Sequence, residues 1–117
     1  MDASEPEPNP GIDPRPLAGV TGFKRDLLLT VARLSGTNPN GQAVKQELQE
    51  HYGEPVNHGR LYRNLDELVD AGFVRKLPLD GRTNVYRLTS RADERLRAHR
   101  EWEDECLLAL EGDGEES

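Results

Sequence analysis

The chain has 117 residues, of which 34% are hydrophobic and 32% charged, with a formal net charge of −7 at pH 7. This length allows one small domain with a modest core, and the low aromatic content of 5% indicates that a partner subunit completes part of the apolar surface. No apolar run is long enough to span a bilayer and the N-terminus does not resemble a signal peptide, so we expect a cytoplasmic protein. The single cysteine, Cys106, excludes an intrachain disulfide framework and a cysteine-based zinc finger.

The acidic charge is concentrated at the two ends of the chain. Residues 1–20 carry one Arg against four acids (−3), residues 21–90 carry ten Lys or Arg against eight acids (+2), and residues 91–117 carry four against ten (−6). The middle segment is therefore the part that can face DNA. Twelve basic residues are Arg and three are Lys. This acidic, Lys-poor composition favours a halophilic protein in concentrated cytoplasmic salt, with an ordinary acidic protein as the alternative.

Two helices are predicted after an acidic arm. Residues 1–20 contain five prolines and few large apolar residues, so we interpret them as a flexible arm that cannot offset its ordering entropy by burial. Thr21 is predicted to cap a first core helix that ends near Gly36. Asn40 is predicted to cap a shorter second helix that ends near Gly53.

A third helix is predicted within Pro55–Gly72. Its leucines recur at helical spacing and face a core, and the opposite side of its first half can donate hydrogen bonds to base edges in a major groove. The residues of this segment that we predict to bind DNA are Asn57, His58, Arg60, Tyr62, Arg63 and Asn64. We expect Arg63 to contact a base edge and Tyr62 a phosphate. Acids in the second half would repel phosphates, so only residues 57–64 are expected to enter the groove.

The apolar period then changes from helical to alternating. Residues 73–77 and 85–88 read as strands and Asp80-Gly81 between them is a turn dipeptide, which predicts a β-hairpin. The hairpin residues predicted to contact DNA are Lys76, Arg82 and Thr83. The predicted fold class is α+β, mainly helical: a winged helix-turn-helix with a two-stranded wing and a C-terminal dimerisation helix.

A last helix is predicted from Thr89 or Ser90 to about Leu110. Its apolar stripe has no partner left in the chain, so we expect it to pack against its copy in a twofold dimer. The predicted dimerisation residues are Ala92, Leu96, His99, Trp102, Cys106, Leu107 and Leu110. The predicted domains are an arm over 1–20, a DNA-binding domain over 21–89, a dimerisation helix over 90–110 and an acidic tail over 111–117.

Three residues of the last helix allow sharper interpretations. His99, Glu103 and Cys106 lie on neighbouring turns and could bind a divalent metal, but a polar position in an interface is the simpler interpretation. Cys106 could likewise sense oxidants, although a small buried hydrophobe is the commoner role of a free cysteine. Trp102 could line an effector pocket between subunits, or simply pack. We predict neither metal nor cofactor.

Segments at residues 27–34, 59–74 and 85–89, reading LLLTVARL, GRLYRNLDELVDAGFV and VYRLT, resemble the PadR-like winged-helix transcriptional regulators. The resemblance covers roughly 70 residues. It implies DNA-binding dimers held by C-terminal helices, usually repressors, with effectors sensed near the dimer interface. The composition suggests a haloarchaeal member of the stress-response type. Gln42 stands where the family often carries an aromatic residue, and the chain has one C-terminal helix where some members have several.

We therefore predict a sequence-specific regulator that acts as a homodimer on a palindromic operator in double-stranded DNA, with stress as a candidate signal. The alternative is a winged-helix protein–protein interaction module without DNA readout. A small-molecule effector has no support in the sequence. Salt cations are expected at the DNA interface, because an acidic dimer must keep cations between its carboxylates and the phosphates. No enzyme is predicted, since no glycine-rich phosphate loop, H-E-x-x-H motif or nucleophile elbow is present.

Overall fold

The structure is a computed structural model that describes residue 17 and residues 19–116, with side chains as far as residue 112. Its elements are, in chain order, α1 (Gly22–Arg33), α2 (Gly41–Tyr52), α3 (His58–Asp70), β1 (Val74–Pro78), β2 (Asn84–Leu88) and α4 (Ser90–Glu116). The predicted arm over residues 1–20 lies almost entirely outside the described residues. Four helices and a two-stranded antiparallel sheet confirm the predicted fold class.

Val20–Glu94 forms one compact unit, built from α1, α2, α3, the hairpin and the start of α4. Its core is a set of buried leucines and valines from the three helices, closed by residues at the base of the hairpin. The largest fully buried side chains are Leu27, Leu28, Leu48, Leu61, Leu65, Leu68, Val31, Val44 and Val74. The helical stripes and the alternating strands therefore meet in a single core, as their periods predicted.

The predicted caps define the helix starts. Thr21 Oγ1 accepts a hydrogen bond from Lys24 N at 3.2 Å, and Asn40 Oδ1 accepts one from Ala43 N at 2.8 Å. Each side chain accepts from a backbone amide in the first turn, which has no carbonyl acceptor within its own helix. At the other end of α2, Gly53 adopts φ +72°, a left-handed conformation that glycine enters without a Cβ clash.

β1 and β2 form the wing, in a register that runs from Val74 opposite Leu88 to Pro78 opposite Asn84. The loop before α2 joins this sheet, because Tyr86 N donates to Pro39 O at 2.9 Å. The wing is thus hydrogen-bonded to the segment that leads into α2, and this fixes its base against the helices.

α4 begins where predicted and ends later. Thr89 Oγ1 accepts from Ala92 N at 3.2 Å and donates to Gly72 O at 2.8 Å, so Thr89 caps the helix and ties it to the end of α3. The helix continues to Glu116, so the predicted end at Leu110 and the separate tail from residue 111 are wrong. A helix propagates once it is formed, and a glycine such as Gly112 opposes propagation by only about 1 kcal/mol. The part of α4 from Arg95 onward belongs to a second unit.

None of the helices in the described part of the chain combines the length and the apolar character that a bilayer crossing requires.

Candidate nucleic-acid interface

α3 has a buried apolar side and an exposed basic start, which confirms its predicted amphipathicity. Its three leucines are buried in the core. The exposed residues at its N-terminal end are Asn57, His58, Gly59, Arg60 and Arg63. The first turns therefore present two arginines and an imidazole to solvent, which suits contact with a polyanion.

Asn57, predicted as a DNA contact, is the N-cap of α3. Its Oδ1 accepts a hydrogen bond from Arg60 N at 2.8 Å. This oxygen holds the start of the helix, while the amide nitrogen of the exposed side chain is open to another partner. A contact of Asn57 with DNA stays a prediction.

Asn64 is placed differently from the sequence prediction, which set it beside the outer face of α3. Only 9% of the residue is exposed, and its Nδ2 donates to Arg60 O one turn earlier at 2.8 Å. A residue four positions after Arg60 and one before Leu65 lies at the border of the apolar face, where an amide must find a partner inside the protein. Asn64 thus lies on the buried side of the border that the sequence predicted, and its contact with DNA stays a prediction.

Side chains around the first turn of α3 contact one another and α1. Arg60 Cζ lies 3.8 Å from the centroid of the Phe23 ring, in the geometry of a cation–π interaction. The ring centroids of His58 and Tyr62 are 4.6 Å apart. Arg60 is thus held against α1, whereas Arg63 projects from the exposed side of the helix.

Acids in the second half of α3 are paired with lysines from other elements. Glu67 Oε1 lies 2.6 Å from Lys24 Nζ, and Asp66 Oδ1 lies 3.5 Å from Lys76 Nζ. The hydrogen bond and the charge of Lys24, with a contribution from Arg63, hold the pKa of Glu67 below its usual range. Two of the three lysines of the chain thus offset acids that would otherwise repel DNA. Lys76 was predicted to contact DNA and lies beside Asp66, so that contact stays a prediction.

The tip of the wing is shaped by one carboxylate. Asp80 Oδ1 accepts from the backbone amides of Arg82 and Thr83, each at 2.9 Å, and Leu79 N donates to Thr83 O at 2.8 Å. The two amides hold the pKa of Asp80 below its ordinary value. This loop fixes the backbone from which the Arg82 side chain extends.

A cleft of about 200 Å³ joins α3 to the wing tip and to the start of α2. Three predicted DNA-binding residues, Tyr62, Arg82 and Thr83, line it. The other lining residues are Asn40, Gly41, Gln42, Asn84 and Tyr86. Residues that are up to 46 positions apart in sequence, Asn40 and Tyr86, therefore share one surface, which their order in the chain alone does not show.

Sequence reasoning missed most of the α2 side of this cleft. Asn40 was recognised only as a cap, and Tyr86 only as a strand residue. The available signal was Gly41, an unusual residue directly after a cap. A Cβ there would overlap Tyr62 Oη and lie 2.5 Å from Tyr62 Cε1 and Cζ, so only glycine admits the ring at this distance.

The C-terminal part of α4 exposes large apolar side chains. Their exposed fractions are 56% for Trp102, 56% for Leu107, 61% for Leu108 and 63% for Leu110. Cys106 is also exposed, so within one chain it is not the small buried hydrophobe that we favoured. Leu96 and His99 are half-buried.

Ala92, the first residue of the predicted dimerisation stripe, is fully buried. It lies in the Val20–Glu94 unit, within the first turn of α4 after the Thr89 cap. A side chain without accessible surface cannot touch a partner subunit, so its assignment to dimerisation is wrong.

His99 Nε2 lies 3.2 Å from Glu103 Oε2, one turn further along α4. Within the described residues, no group of three or more His, Cys, Asp or Glu side chains is arranged to hold a metal ion. The structure therefore adds no support to the alternative in which these residues and Cys106 bind a metal.

The sequence profile of the transcriptional regulator PadR-like family matches residues 28–98, which include α2, α3, the wing and the start of α4. The chain belongs to the PadR-like family. A search of curated proteins found no match.

Solved structures place this PadR-like chain beside RosR of H. salinarum. The structure of RosR grown from NaBr is 37% identical in sequence to this chain, with a TM-score of 0.67, and the match covers 82% of this chain and 94% of RosR. A complex structure of RosR is 36% identical, with a TM-score of 0.71 and coverage of 87% and 96%. A winged-helix DNA-binding protein from STIV shares the fold at 18% identity, with a TM-score of 0.57 and coverage of 70% and 88%.

These comparisons confirm the predicted PadR-like type of winged-helix regulator, and its similarity to RosR of H. salinarum agrees with the predicted haloarchaeal type. The PadR-like chain is a DNA-binding transcriptional regulator of this family.

Proposed function

We propose that this regulator acts as a homodimer on a palindromic operator, with each α3 in a major groove and each wing tip beside it. The observation that carries the proposal is the cleft in which Tyr62 of α3 and Arg82 of the wing meet. Because the helix start and the wing tip share one surface, a single duplex can touch both.

We propose that Arg63 contacts a base edge in the major groove and that neighbouring residues contact the DNA backbone. The side chain is exposed, and a guanidinium can pair with the two acceptors on a guanine edge. Further contacts are proposed for Asn57, His58, Arg60, Tyr62, Lys76, Arg82 and Thr83. Asn64 is left out because it is buried.

Replacement of Arg63 tests this assignment. Arg63→Ala should lose about 1 to 3 kcal/mol of discrimination between operator and scrambled DNA, because one bidentate base contact is removed. Mobility shifts with both duplexes measure it, and Arg33→Ala, an exposed arginine of α1 paired with Glu47, is the matched control. Undiminished discrimination by Arg63→Ala would remove the assignment.

The dimer is proposed to form through the exposed apolar residues of α4. Trp102, Leu107 and Leu110, with Cys106 between them, recur at helical spacing on one side. Exposed apolar stripes of this kind are typical of interfaces, and twofold pairing lets one stripe cover its copy.

Three further properties belong to the proposal. Salt cations bridge carboxylates and phosphates at the DNA interface, which the net charge of −7 supports. Stress is the proposed signal, to be tested by mapping genome-wide binding with and without stress. The chain is proposed to lack catalytic activity, which the regulator family and the absence of catalytic motifs in the sequence support.

A further inference from the structure

We propose that the cleft between the start of α2 and the wing tip is a pocket for one backbone phosphate of the DNA, with Tyr86 as one of its donors. The inference rests on the proposed function and adds a site to it. Unlike the base contact of Arg63, this contact sets the position of the protein on the duplex independently of sequence.

The first observation is Tyr86 itself. Only 4% of the residue is exposed, and it lines the cleft. Its hydroxyl makes no hydrogen bond to another described residue and keeps accessible surface, so it is open to the cleft. A phenol that keeps accessible surface at the wall of a cleft can donate to a ligand bound there, and a phosphate oxygen is such an acceptor.

The Tyr86 hydroxyl is also kept in its donating form. Burial, and then the negative charge of Asp66 and the neighbouring Tyr62, raise the pKa of Tyr86 above its ordinary value of 10.0. The phenol therefore stays protonated at any pH at which the protein would bind DNA, and it can only approach an anion as a donor.

The start of α2 supplies a second donor. Asn40 accepts from Ala43 N with its side chain and from Val44 N with its carbonyl, and its antiparallel bridge to Val85 turns the amide of Gly41 toward β2. The amide of Gln42 is left at the open end of the helix, where the helix dipole favours an anion.

The wing supplies positive charge. Arg82 lines the cleft, and its backbone is fixed because Asp80 Oδ1 accepts from the amides of Arg82 and Thr83. The carboxylate of Asp80 is thereby directed at its own loop. A cleft with a guanidinium, a phenol and the Gln42 amide has donors that suit a phosphate.

The position of the cleft favours a phosphate of DNA over a free anion. Tyr62 lines it from α3, one residue before Arg63, and the Tyr62 ring is seated there only because position 41 is glycine. An anion held here would lie directly beside the helix that is proposed to enter the groove. Free phosphate and a DNA phosphate share the same chemistry, so the experiment separates them.

Tyr86→Phe is the first test, since it removes the hydroxyl and keeps the buried ring. We expect affinity for operator DNA to fall about fivefold to tenfold, the effect of one hydrogen bond to a charged group. The melting temperature should not fall, because the lost hydroxyl has no partner in the protein. A lower melting temperature with unchanged DNA affinity would overturn the proposal.

Gly41→Ala is the second test, because the new Cβ must displace the Tyr62 ring from the cleft. Gly22→Ala is the matched control: Gly22 is likewise the first residue after an N-cap, and its Cβ would meet only Arg25 Nη2 at 3.7 Å. We expect about a fivefold loss of affinity for Gly41→Ala and none for Gly22→Ala. Equal effects of the two would count against the site.

Duplexes with a single neutral methylphosphonate at each phosphate in turn locate the contact. One position should weaken wild-type binding, and that loss should be smaller for Tyr86→Phe, since interacting groups are not additive. If each methylphosphonate weakens wild type and Tyr86→Phe equally, the phosphate pocket is refuted. A shift of the Tyr86 NMR resonance on adding inorganic phosphate would then show only that the cleft binds a free anion. If the operator binds wild type without any preference over scrambled DNA, the proposed function fails instead.

Discussion

Tyr52 shows how one side chain of this small domain connects two helices. Its hydroxyl donates to Asp26 Oδ2 at 2.6 Å, joining the end of α2 to α1. Burial, and then the hydrogen bond to Asp26, raise the pKa of Tyr52 to about 12. The folded state thus holds this proton more tightly than the unfolded state does.

Tyr52→Phe should lower the free energy of unfolding by about 1 to 2 kcal/mol at neutral pH. Because the folded pKa is raised from 10.0 to about 12, the contribution of the hydroxyl is complete below pH 10 and is lost as the pH rises through 12. Urea unfolding between pH 8 and 12 measures this. The difference between the two proteins should shrink across that range, and a constant difference would contradict the assignment.

At the scale of the element, α3 has two halves with different charges and partners. Its exposed start carries Arg60 and Arg63, while Asp66 and Glu67 in its second half are paired with lysines. Such exposed pairs contribute little to stability, so their main effect is to lower the negative field near the helix. The N-terminal end of α3 can therefore approach DNA, because the paired acids in the second half repel the phosphates less than unpaired acids would.

The wing tip is an element whose order depends on Asp80. Asp80→Ala should abolish the two hydrogen bonds to the amides of Arg82 and Thr83, whereas Asp80→Asn keeps an oxygen acceptor. Faster hydrogen exchange at those two amides, measured by NMR, is expected for the alanine variant and much less for the asparagine variant. Unchanged exchange in both variants would show that the strands alone hold the tip.

The hydrogen bonds that Asp80 accepts in this turn should depend on pH. The pKa of Asp80 is lowered by the two amides, so its contribution is complete above the ordinary value of 3.8 and is lost as the pH falls through the lowered pKa. In wild type, protection of the two amides should therefore decline in acid.

At the scale of the whole molecule, the proposed dimer depends on the apolar side of α4. Leu107→Glu with Leu110→Glu should convert the dimer to a monomer and weaken operator binding at least tenfold, because two half-sites are no longer bound together. Sedimentation and mobility shifts measure both effects. Leu108→Glu is the matched control, since Leu108 is equally exposed but about 100° from Leu107 around the helix. A dimer that survives the double change would place the interface elsewhere.

The charge of the whole molecule predicts an unusual response to salt. Ordinary DNA binders lose affinity steeply as salt rises because cations are released. With a net charge of −7, a dimer that retains cations at the interface should show a shallow or reversed slope. Affinity measured across potassium chloride concentrations tests this, and a steep conventional loss would argue against retained cations.

The sequence by itself determined the elements of this protein, because periodicity and capping are local. Thr21, Asn40 and the leucines of α3 specify where helices start and which side they bury, and Asp80-Gly81 specifies the hairpin turn. The family resemblance followed from the same segments. The structure differs from the prediction at the edges of elements. Asn64 lies at the edge of the apolar face of α3, where a few tens of degrees separate an outer from a buried side chain, and α4 extends beyond its predicted end.

Only the tertiary structure decided which residues share a surface. Tyr62, Tyr86 and the start of α2 converge on one cleft because the segment before α2 is hydrogen-bonded to β2, and no periodicity reports a contact of that range. The pairing of Asp66 and Glu67 with distant lysines was hidden for the same reason. Local patterns fix elements through backbone geometry, whereas a site is fixed by packing between elements, which depends on the whole core at once.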